Sequence, residues 1–372
     1  MTTLAVGIAG IGGRGRSFTS AIAAHGHAHL HAICDVDPDA LVAAAEELGI
    51  EHAYEDVETM LASADLDVLV VATPMPYHVD HSIEALERDV HVICEVPAGV
   101  SIEECKDLVA AASDSKATYA IAENYVYHRR NQLVTGLVEE GFFGEVYYAE
   151  AEYIHELKEL NEITRWRRTW QTGVDGNTYP THSLGPVLQW FGGDRIERVT
   201  CAGSGHHYRD PRGELYEQQD TTVTLGETAS GRLVKLRLDM LSERPHAANN
   251  YQLQGSEGAY ESARGPDEQD KVWLDAFESA GSSGEYTWRH LEEFTEYLPE
   301  RWQDPSDAVQ EAGHGGSDFI MTTEYLGAIA GGDPPPIGVH EAMDMTLPGL
   351  VSQASIADGA AWHPVPDSRE WG

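Results

Sequence analysis

The feature that most constrains this chain is a glycine-rich turn that directly follows a short apolar run near the N-terminus. Leu4 to Ala9 is too short for a helix and long enough for a buried strand. Three glycines follow with the spacing G-x-G-x-x-G, and helix-forming residues come next. Such glycines make a tight turn, let backbone N–H groups approach a pyrophosphate, and let a helix pack closely on a strand. The pattern predicts a dinucleotide site at Gly10, Ile11, Gly12, Gly13, Arg14 and Gly15.

A carboxylate at the end of the next apolar run strengthens this prediction. His29 to Cys34 is followed by Asp35, which lies about twenty residues after Gly15, the spacing at which an acid meets the adenosine ribose hydroxyls. A carboxylate there would repel a 2′-phosphate, so NAD is predicted rather than NADP. The alternative is a glycine-rich turn that binds nothing, and the pairing of the turn with Asp35 favours the cofactor.

The first third of the chain alternates apolar runs with helix-forming segments. This alternation predicts an α/β fold with a doubly wound parallel sheet of the Rossmann type, which we assign to a domain at residues 1–123. Val68 to Ala72 is apolar throughout, as a strand buried on both faces would be. Ligands bind at the carboxyl ends of such strands, so Glu95 and Asn124, which follow apolar runs, are predicted to line the cofactor.

Beyond about residue 145 strand-like segments follow one another with few helices between them. They predict an α+β domain at residues 124–372 with a large, mostly antiparallel open sheet. We expect the final stretch to return to the first domain. Because the exposed face and edges of an open sheet are usually covered by another element or subunit, we also expect a homodimer or homotetramer that forms through this sheet.

The charge of the chain limits its partners. It carries 62 acidic and 24 basic residues, a net charge of −38, whereas nucleic acids and anionic membranes attract positive charge. No apolar stretch reaches membrane-spanning length, and the first strand begins directly after Met-Thr-Thr, which leaves no room for a signal peptide. We therefore expect a cytoplasmic protein that binds neither nucleic acid nor membrane. Its dispersed acidity and scarce lysine are typical of salt-loving organisms.

The cysteine and histidine spacings do not indicate a metal site. The four cysteines form no C-x-x-C pair, and Cys34 and Cys94 end apolar runs, as buried strand thiols do. Histidine occupies alternate positions from 25 to 31, but no carboxylate or cysteine is spaced to complete a coordination sphere. We predict that the protein binds no metal.

The segment Glu95-Val96-Pro97 carries a first resemblance. The chain resembles the glucose-fructose oxidoreductase, inositol dehydrogenase and MocA family, in which a Rossmann domain precedes an open-sheet domain. That family typically has Glu-Lys-Pro at this point, and its lysine is catalytic near the nicotinamide. Val96 cannot move protons, so this role does not transfer. The resemblance also implies that Thr73, Pro74 and His78 line the cofactor.

A narrower resemblance rests on several separated motifs. They are Gly10-Ile11-Gly12-Gly13-Arg14-Gly15, Glu95-Val96-Pro97-Ala98, Glu123-Asn124 with Tyr127, Asn177 with Tyr179-Pro180-Thr181-His182, Gly185-Pro186, and His314-Gly315-Gly316 with Asp318-Phe319. Together they resemble glycoside hydrolase family 109, which comprises NAD-dependent α-N-acetylgalactosaminidases. This resemblance implies a redox-neutral glycoside cleavage by oxidation at C3 of the sugar, elimination at C1 and C2, and hydration. The alternatives are a sugar or polyol dehydrogenase that releases NADH, and a dinucleotide-binding sensor without turnover.

Three residues are candidates for proton transfer. His182 ranks first, because an imidazole titrates near neutrality and the resemblance implies a histidine here. Tyr127 and Tyr179 are rival second bases, and a tyrosine needs nearby positive charge to act as one. His182 could instead be a satisfied histidine at the start of a helix, and the two tyrosines could be structural residues of the core or of a sheet.

Four residues are candidates for substrate binding. Trp166 and Arg167 could present an aromatic face and a guanidinium to a sugar, with aromatic core packing as the alternative. His314 could begin a helix that faces the pocket, or belong to a plain capping turn. The resemblance implies Asn177 as the fourth.

The acidity of the chain predicts that the protein needs salt. At molar salt the Debye length shrinks to about 3 Å, so the repulsion among surface carboxylates is screened. We expect the melting temperature, followed by circular dichroism, to rise from dilute buffer to multimolar KCl. An unchanged melting temperature together with full activity in dilute buffer would contradict this prediction.

Overall fold

The computed structural model describes residues 3–245, 247–278 and 286–371. The strands are β1 (Leu4–Ala9), β2 (Ala28–Cys34), β3 (His52–Tyr54), β4 (Val68–Val71), β5 (His91–Cys94), β6 (Tyr119–Ile121), β7 (Val146–Ile154), β8 (Ile196–Gly203), β9 (Thr221–Thr228), β10 (Leu233–Asp239), β11 (Ala247–Gly255), β12 (Gly258–Glu261), β13 (Lys271–Leu274), β14 (Arg289–His290) and β15 (His363–Pro364). The α-helices are α1 (Thr19–Ala24), α2 (Pro38–Leu48), α3 (Val57–Ser63), α4 (His78–Leu86), α5 (Ile102–Asp114), α6 (Arg129–Glu139), α7 (Lys158–Ile163), α8 (Trp166–Trp170), α9 (Thr181–Trp190), α10 (Glu300–Gln303), α11 (Asp307–Glu311), α12 (Ser317–Gly331) and α13 (Val339–Ala357).

The chain divides into two compact units, and both are discontinuous in sequence. The first unit comprises Met1–Tyr127, Pro305–Met343 and Asp367–Gly372. The second comprises His128–Asp304 and Asp344–Pro366. The division into domains 1–123 and 124–372 stays a prediction, because compactness does not show that a segment folds alone.

The sheet of the first unit has six strands in the order β3-β2-β1-β4-β5-β6, and all are parallel. Every residue of β4 is buried, which agrees with its unbroken apolar sequence. The order of the strands reverses between β1 and β4, and in such sheets the ligand crevice opens at this reversal. The predicted Rossmann-type fold is confirmed.

Helix α2 of this unit is capped at both ends. The Asp37 side chain accepts hydrogen bonds from the N–H groups of Asp39 and Ala40, with Pro38 in the first turn of α2, and Gly49 ends the helix in a left-handed conformation. The segment after the glycine-rich turn, where the sequence has helix-forming residues, is not α-helical throughout. It begins as a 3-10 helix over Arg14–Phe18 and becomes α-helical only in α1, as helix starts often do.

The second unit contains a nine-stranded sheet in the order β14-β13-β12-β11-β7-β10-β9-β8-β15. Only the β7–β10 pair is parallel among the pairs that the structure describes, so the predicted open and mostly antiparallel sheet is confirmed. Helix α9 packs on one face, where Trp190 meets the rings of Tyr251 and Tyr260 edge-on at 5.5 and 5.9 Å.

Three further observations concern cysteines, metals and membranes. All four cysteines, Cys34, Cys94, Cys105 and Cys201, are buried and unbridged. Within residues 3–245, 247–278 and 286–371, three or more histidine, cysteine or acidic side chains nowhere converge as a metal would require. In the same part of the chain, no helix combines the length and the apolar character needed to cross a bilayer.

The glycine-rich turn supplies a test of the fold. A Cβ added at Gly15 would lie 2.6 Å from the carbonyl oxygen of Gly10 and 2.8 Å from Ile8, whereas one at Gly26 would meet nothing within 4 Å. We expect Gly15→Ala to lower the free energy of unfolding by about 1–3 kcal/mol because the backbone must shift. Gly26→Ala, the matched control, should change it by less than about 0.5 kcal/mol. Denaturant titration in high salt measures both, and equal stabilities would contradict the close approach.

Candidate functional site

The predicted cofactor-binding residues of the first unit all follow the carboxyl ends of parallel strands. Because these ends share one edge of the sheet, the residues gather there from segments distant in sequence. They are Gly10 to Gly15 after β1, Asp35 after β2, Thr73, Pro74 and His78 after β4, Glu95 after β5, and Asn124 after β6.

The glycine-rich turn lies against the strand ends beside it. Gly10 has a φ of +89°, and a Cβ there would lie 2.5 Å from the carbonyl oxygen of Ala72, so only glycine fits without strain. The N–H of Gly12 donates to the Asp35 carboxylate at 2.7 Å, and the other carboxylate oxygen accepts from the N–H of Asp37 at 3.0 Å. Asp35 is therefore held at the turn, where a ribose acceptor belongs.

An ion-pair cluster, here called the Asp318 cluster, consists of Arg14, Glu95, Asn124, His314 and Asp318. Arg14 binds the Asp318 carboxylate with both terminal nitrogens, at 2.6 and 2.7 Å, and its Nε donates to Glu95 at 2.7 Å. The Asn124 amide nitrogen donates to Asp318 at 2.7 Å, and His314 Nδ1 lies 2.9 Å from the same carboxylate. Three predicted site residues, Arg14, Asn124 and His314, thus share one carboxylate that we did not predict to have a role, and Glu95 joins them through Arg14.

Asp318 is ionised in this cluster. Its side chain is only 1% exposed, and burial by itself would raise the pKa of the carboxyl. The hydrogen bonds from Arg14 and His314 and the positive charge of Arg14 outweigh burial and hold the pKa of Asp318 well below its usual range. A buried carboxylate that keeps its charge at all ordinary pH values accepts hydrogen bonds and never donates one.

The segment that carries His314 has an unusual backbone. His314 has a φ of +52°, and Gly315 and Gly316 follow with φ values of +64° and +94° before α12 begins. A non-glycine residue in the left-handed region is strained and persists only where its surroundings hold it. Here the contact with Asp318, in the first turn of α12, holds the imidazole.

His78 is buried between two strand ends. Its Nδ1 lies 2.8 Å from the carbonyl oxygen of Pro97 and its Nε2 lies 2.9 Å from that of Thr73. Carbonyl oxygens only accept, so both contacts are hydrogen bonds when both ring nitrogens carry protons. Burial lowers the pKa of His78, but Cys94 and the two carbonyl groups outweigh it and raise the pKa to about 9. His78 thus joins the segments after β4 and β5.

The residues at this edge of the sheet fit a dinucleotide. The Asn124 carbonyl oxygen Oδ1 is buried and has no hydrogen-bond partner in the described part of the protein, so it is placed for a ligand donor. A Cβ at Gly13 would meet nothing within 4 Å, which leaves the turn open to a pyrophosphate. Together with Asp35 these features match what NAD requires.

In the second unit, His182 and Tyr179 belong to an aromatic cluster. Their ring centroids lie 5.1 Å apart, and the ring of Tyr153 lies 5.3 Å from that of Tyr179 and 5.6 Å from that of His182. The Tyr153 hydroxyl is 3.0 Å from His155 Nδ1. The carbonyl oxygen of His182, in the first turn of α9, accepts from the Tyr251 hydroxyl at 2.5 Å, which fixes the backbone beneath the imidazole.

The other predicted residues have different surroundings. Tyr127 is buried in the first unit and meets the ring of Tyr325 edge-on at 6.0 Å. The guanidinium of Arg167 lies 4.3 Å from the ring centroid of Trp166, on a short helix with no buried residue. Asn177 is 2% exposed, and its N–H donates to Ser352 Oγ at 2.8 Å.

Sequence reasoning gave no role to Asp318, Tyr153 or His155. Asp318 lies four residues after His314, the spacing at which two side chains share a helix face, and that signal could have paired them. Tyr153 and His155 lie two residues apart at the end of β7, so strand alternation could have placed them on one side.

Two family models match consecutive parts of the chain. Residues 4–123 match the oxidoreductase family with an NAD-binding Rossmann fold, and residues 127–370 match the C-terminal domain of glycosyl hydrolase 109. A glycosyl hydrolase family 109 protein of Saccharopolyspora erythraea is 32% identical over 98% of this chain and 83% of its own length. One from Shewanella woodyi is 30% identical over 99% of this chain and 85% of its own length.

Solved structures share the fold at lower identity. Levoglucosan dehydrogenase in complex with NADH and L-sorbose superimposes with a TM-score of 0.82 and 22% identity, over 99% of this chain and all of that one. The WlbA dehydrogenase of Bordetella pertussis, in complex with NADH and UDP-GlcNAcA, has a TM-score of 0.73 and 21% identity, over 98% of this chain and 99% of that one.

The Rossmann sheet, its glycine-rich turn and the family matches define the class of NAD-dependent enzymes that have the oxidoreductase-family Rossmann fold. Within that class, the chain belongs to glycosyl hydrolase family 109.

The buried His78 predicts a pH dependence of stability. The folded pKa of about 9 exceeds the ordinary value of 6.5, so the native state keeps a proton that the unfolded state releases. The stabilisation is fully present below about pH 6.5 and falls by about 3 kcal/mol as pH rises to about 9. Denaturant titrations across this range should show the loss in the wild type and in the control His52→Gln, on the exposed strand β3. If the unfolding free energy of His78→Gln falls with pH as steeply as that of the wild type, the assignment of this pH dependence to His78 is wrong.

Proposed function

We propose that the chain is an NAD-dependent glycosidase of the α-N-acetylgalactosaminidase kind, which cleaves a glycoside without net oxidation. The observation that carries this proposal is Val96, the residue after Glu95 at the carboxyl end of β5. Val96 is buried and has no titratable group, where the wider oxidoreductase family typically has a catalytic lysine. The chain thus lacks the expected proton acceptor of a net sugar oxidation while it keeps the cofactor site.

When bound, NAD⁺ would supply the removal of a hydride from C3 of the sugar and the later return of that hydride. Between these two steps C3 is a ketone, and the ketone makes the neighbouring C2 proton acidic. The protein has to hold the cofactor, exclude side reactions, take the C3 hydroxyl proton when the hydride leaves and return it afterwards, and move protons at C2 and at the leaving group. Asp35 would hold the adenosine ribose, and the turn at Gly13 would hold the pyrophosphate. Asn124 Oδ1 would accept a hydrogen bond from the bound cofactor.

His182 is the residue we propose to move the C2 proton. The imidazole takes the proton, the C2–H electron pair forms the double bond to C1, and the aglycone leaves C1 with the electrons of the broken bond. Water then adds at C1, and the proton returns to C2. The aromatic rings of Tyr153 and Tyr179 fix the orientation of His182, which supports a positioned acid–base group.

Tyr179 and Tyr127 remain the candidates for a second proton-transfer group. Tyr179 shares the aromatic cluster of His182, and this contact favours it over Tyr127, whose ring lies against Tyr325. Trp166 and Arg167 are proposed to bind the sugar, because their stacked side chains lie on a helix without buried residues. Asn177 stays a substrate-binding proposal that rests on its motif, since it is buried.

The proposed partners are a small carbohydrate and a second copy of the chain. The open sheet bears ion pairs such as Glu150–Lys235 at 2.6 Å and Arg237–Asp239 at 3.0 Å, which suit a polar interface in a homodimer or homotetramer. The acidic surface supports a salt-adapted protein, and we propose a cytoplasmic location.

One experiment separates the candidate functions. The purified protein is incubated with p-nitrophenyl glycosides in multimolar KCl and D₂O while aglycone, NADH and deuterium at C2 are measured. We expect aglycone release, deuterium at C2 of the free sugar and no NADH accumulation. NADH that accumulates with oxidised sugar identifies a dehydrogenase, and retained dinucleotide without any product identifies a binding protein. Aglycone release without deuterium at C2 rules out the elimination.

A variant pair tests the role of His182. We expect His182→Gln to lower aglycone release by at least about a hundredfold, because a positioned acid–base group contributes that much or more. Its NAD⁺ affinity, measured by calorimetry, should stay that of the wild type. His206→Gln, which changes an exposed histidine of the same unit, is the control and should keep wild-type turnover. Wild-type rates in His182→Gln would refute the assignment.

A further inference from the structure

In the Asp318 cluster, one carboxylate determines which atoms of its neighbours donate hydrogen bonds and which accept them. We propose that Asp318 is a positioning residue that turns the acceptor atoms of Asn124 and His314 toward the ligand, so that the ligand groups received there are neutral donors such as hydroxyl or amide groups. The inference rests on the proposed function only in naming a sugar as one source of those hydroxyls. It follows from the chemistry of one buried carboxylate.

The first step is that the carboxylate can only accept. Asp318 is 1% exposed and receives both terminal nitrogens of Arg14, so it is ionised and bidentately paired. Any neutral side chain that also contacts it must turn a donor toward it. Two neutral side chains do so, one on each oxygen.

Asn124 is oriented in this way. An amide can be placed with either its nitrogen or its oxygen toward a neighbour, and only the nitrogen bonds a carboxylate. The 2.7 Å contact from Asn124 Nδ2 to Asp318 Oδ1 therefore sends Oδ1 in the other direction. That oxygen is buried and has no partner in the described residues, so a ligand donor would remove an unsatisfied acceptor.

His314 is oriented by the same argument. Its Nδ1 lies 2.9 Å from Asp318 Oδ2 and 3.5 Å from Arg14 Nη1. The shorter contact needs a proton on Nδ1, whereas the longer one lies at the outer limit of a hydrogen bond. The neutral imidazole therefore has its lone pair on Nε2. Because the side chain is 42% exposed, a ligand that reaches the ring meets an acceptor.

The formal charge of the cluster disfavours a further anion beside Asp318. Arg14 is the one arginine or lysine among its five residues, and it is shared between Glu95 and Asp318. Tyr125, whose ring lies 6.1 Å from that of His314, adds no positive charge. The Arg14 guanidinium and the carboxylates of Glu95 and Asp318 carry a formal charge of −1 together. A sugar carboxylate or phosphate would meet acceptors and negative charge, while a neutral hydroxyl would meet complementary groups.

The tautomer of His314 is the direct test. Long-range proton–nitrogen spectra of the full chain labelled in histidine, recorded above about pH 8 where an ordinary imidazole is neutral, distinguish the two forms. The His314→Gln variant identifies the signal by its loss. We expect the wild type to carry the proton on Nδ1. A wild-type proton on Nε2 overturns the proposal, whatever the variants do.

Asp318→Asn tests the cause. An amide at this position can donate to the imidazole, so we expect the proton of His314 to move to Nε2 in a large fraction of molecules. We also expect NAD⁺ affinity to fall about tenfold, because Arg14 in the glycine-rich turn loses its charged, bidentate partner. Asp318→Glu, which remains an acceptor only, should retain the Nδ1 proton. An unchanged tautomer in Asp318→Asn refutes the positioning role.

The control variant is Glu47→Gln, which makes the same carboxylate-to-amide change beside Arg16 on the surface of the same unit. It should leave both the tautomer and the NAD⁺ affinity unchanged, and a shift of either would show that the readouts are not specific to Asp318. Neither readout requires turnover. If the tautomer behaves as expected and no glycoside is cleaved, the proposed glycosidase function fails while the role of Asp318 stands.

Discussion

The contact between Arg14 and Asp318 is the interaction on which the candidate site of the first unit depends. The two residues lie 304 positions apart in sequence, and their paired hydrogen bonds join the glycine-rich turn to the start of α12. Glu95 and Asn124 complete the same cluster from the ends of two neighbouring strands. One charged pair therefore fixes segments that the parallel sheet alone would only bring to the same edge.

The charges of the cluster explain why its members depend on one another energetically. Removing one partner of a buried ion pair leaves the other charge desolvated and uncompensated, which is more costly than never burying the pair. Arg14 without Asp318 would still have Glu95, but Asp318 without Arg14 would keep only the neutral donors of Asn124 and His314. The arginine of the turn is thus tied to a carboxylate on a distant helix.

Local sequence signals predicted most of the first sheet because most of its elements are specified by local sequence. Pro38 and Asp37 set the start of α2, and the unbroken apolar run of β4 reveals a strand buried on both faces. Short strands such as β3 escaped prediction because its residues are exposed or half-buried and show no apolar pattern. The 3-10 helix that precedes α1 was not predicted either, because its residues are of the same types as those found in α-helices.

The candidate site could be predicted only in part. Glu95 and Asn124 could be predicted to line the ligand because each follows a parallel strand, and the carboxyl ends of these strands form the edge where ligands bind. The role of Asp318 and the grouping of Tyr153 with His182 depend on contacts between distant segments, which no local pattern encodes.

The discontinuity of the first unit has a consequence for biosynthesis. Pro305–Met343 belongs to this unit and carries His314 and Asp318, whereas the other three residues of the cluster lie at or before Asn124. While the ribosome is still adding the residues in between, the nascent glycine-rich turn has no Asp318 to pair with. The cofactor-binding unit therefore matures late in translation, and a gene fragment that encodes the N-terminal segment alone would yield a polypeptide whose Arg14 lacks its principal counterion.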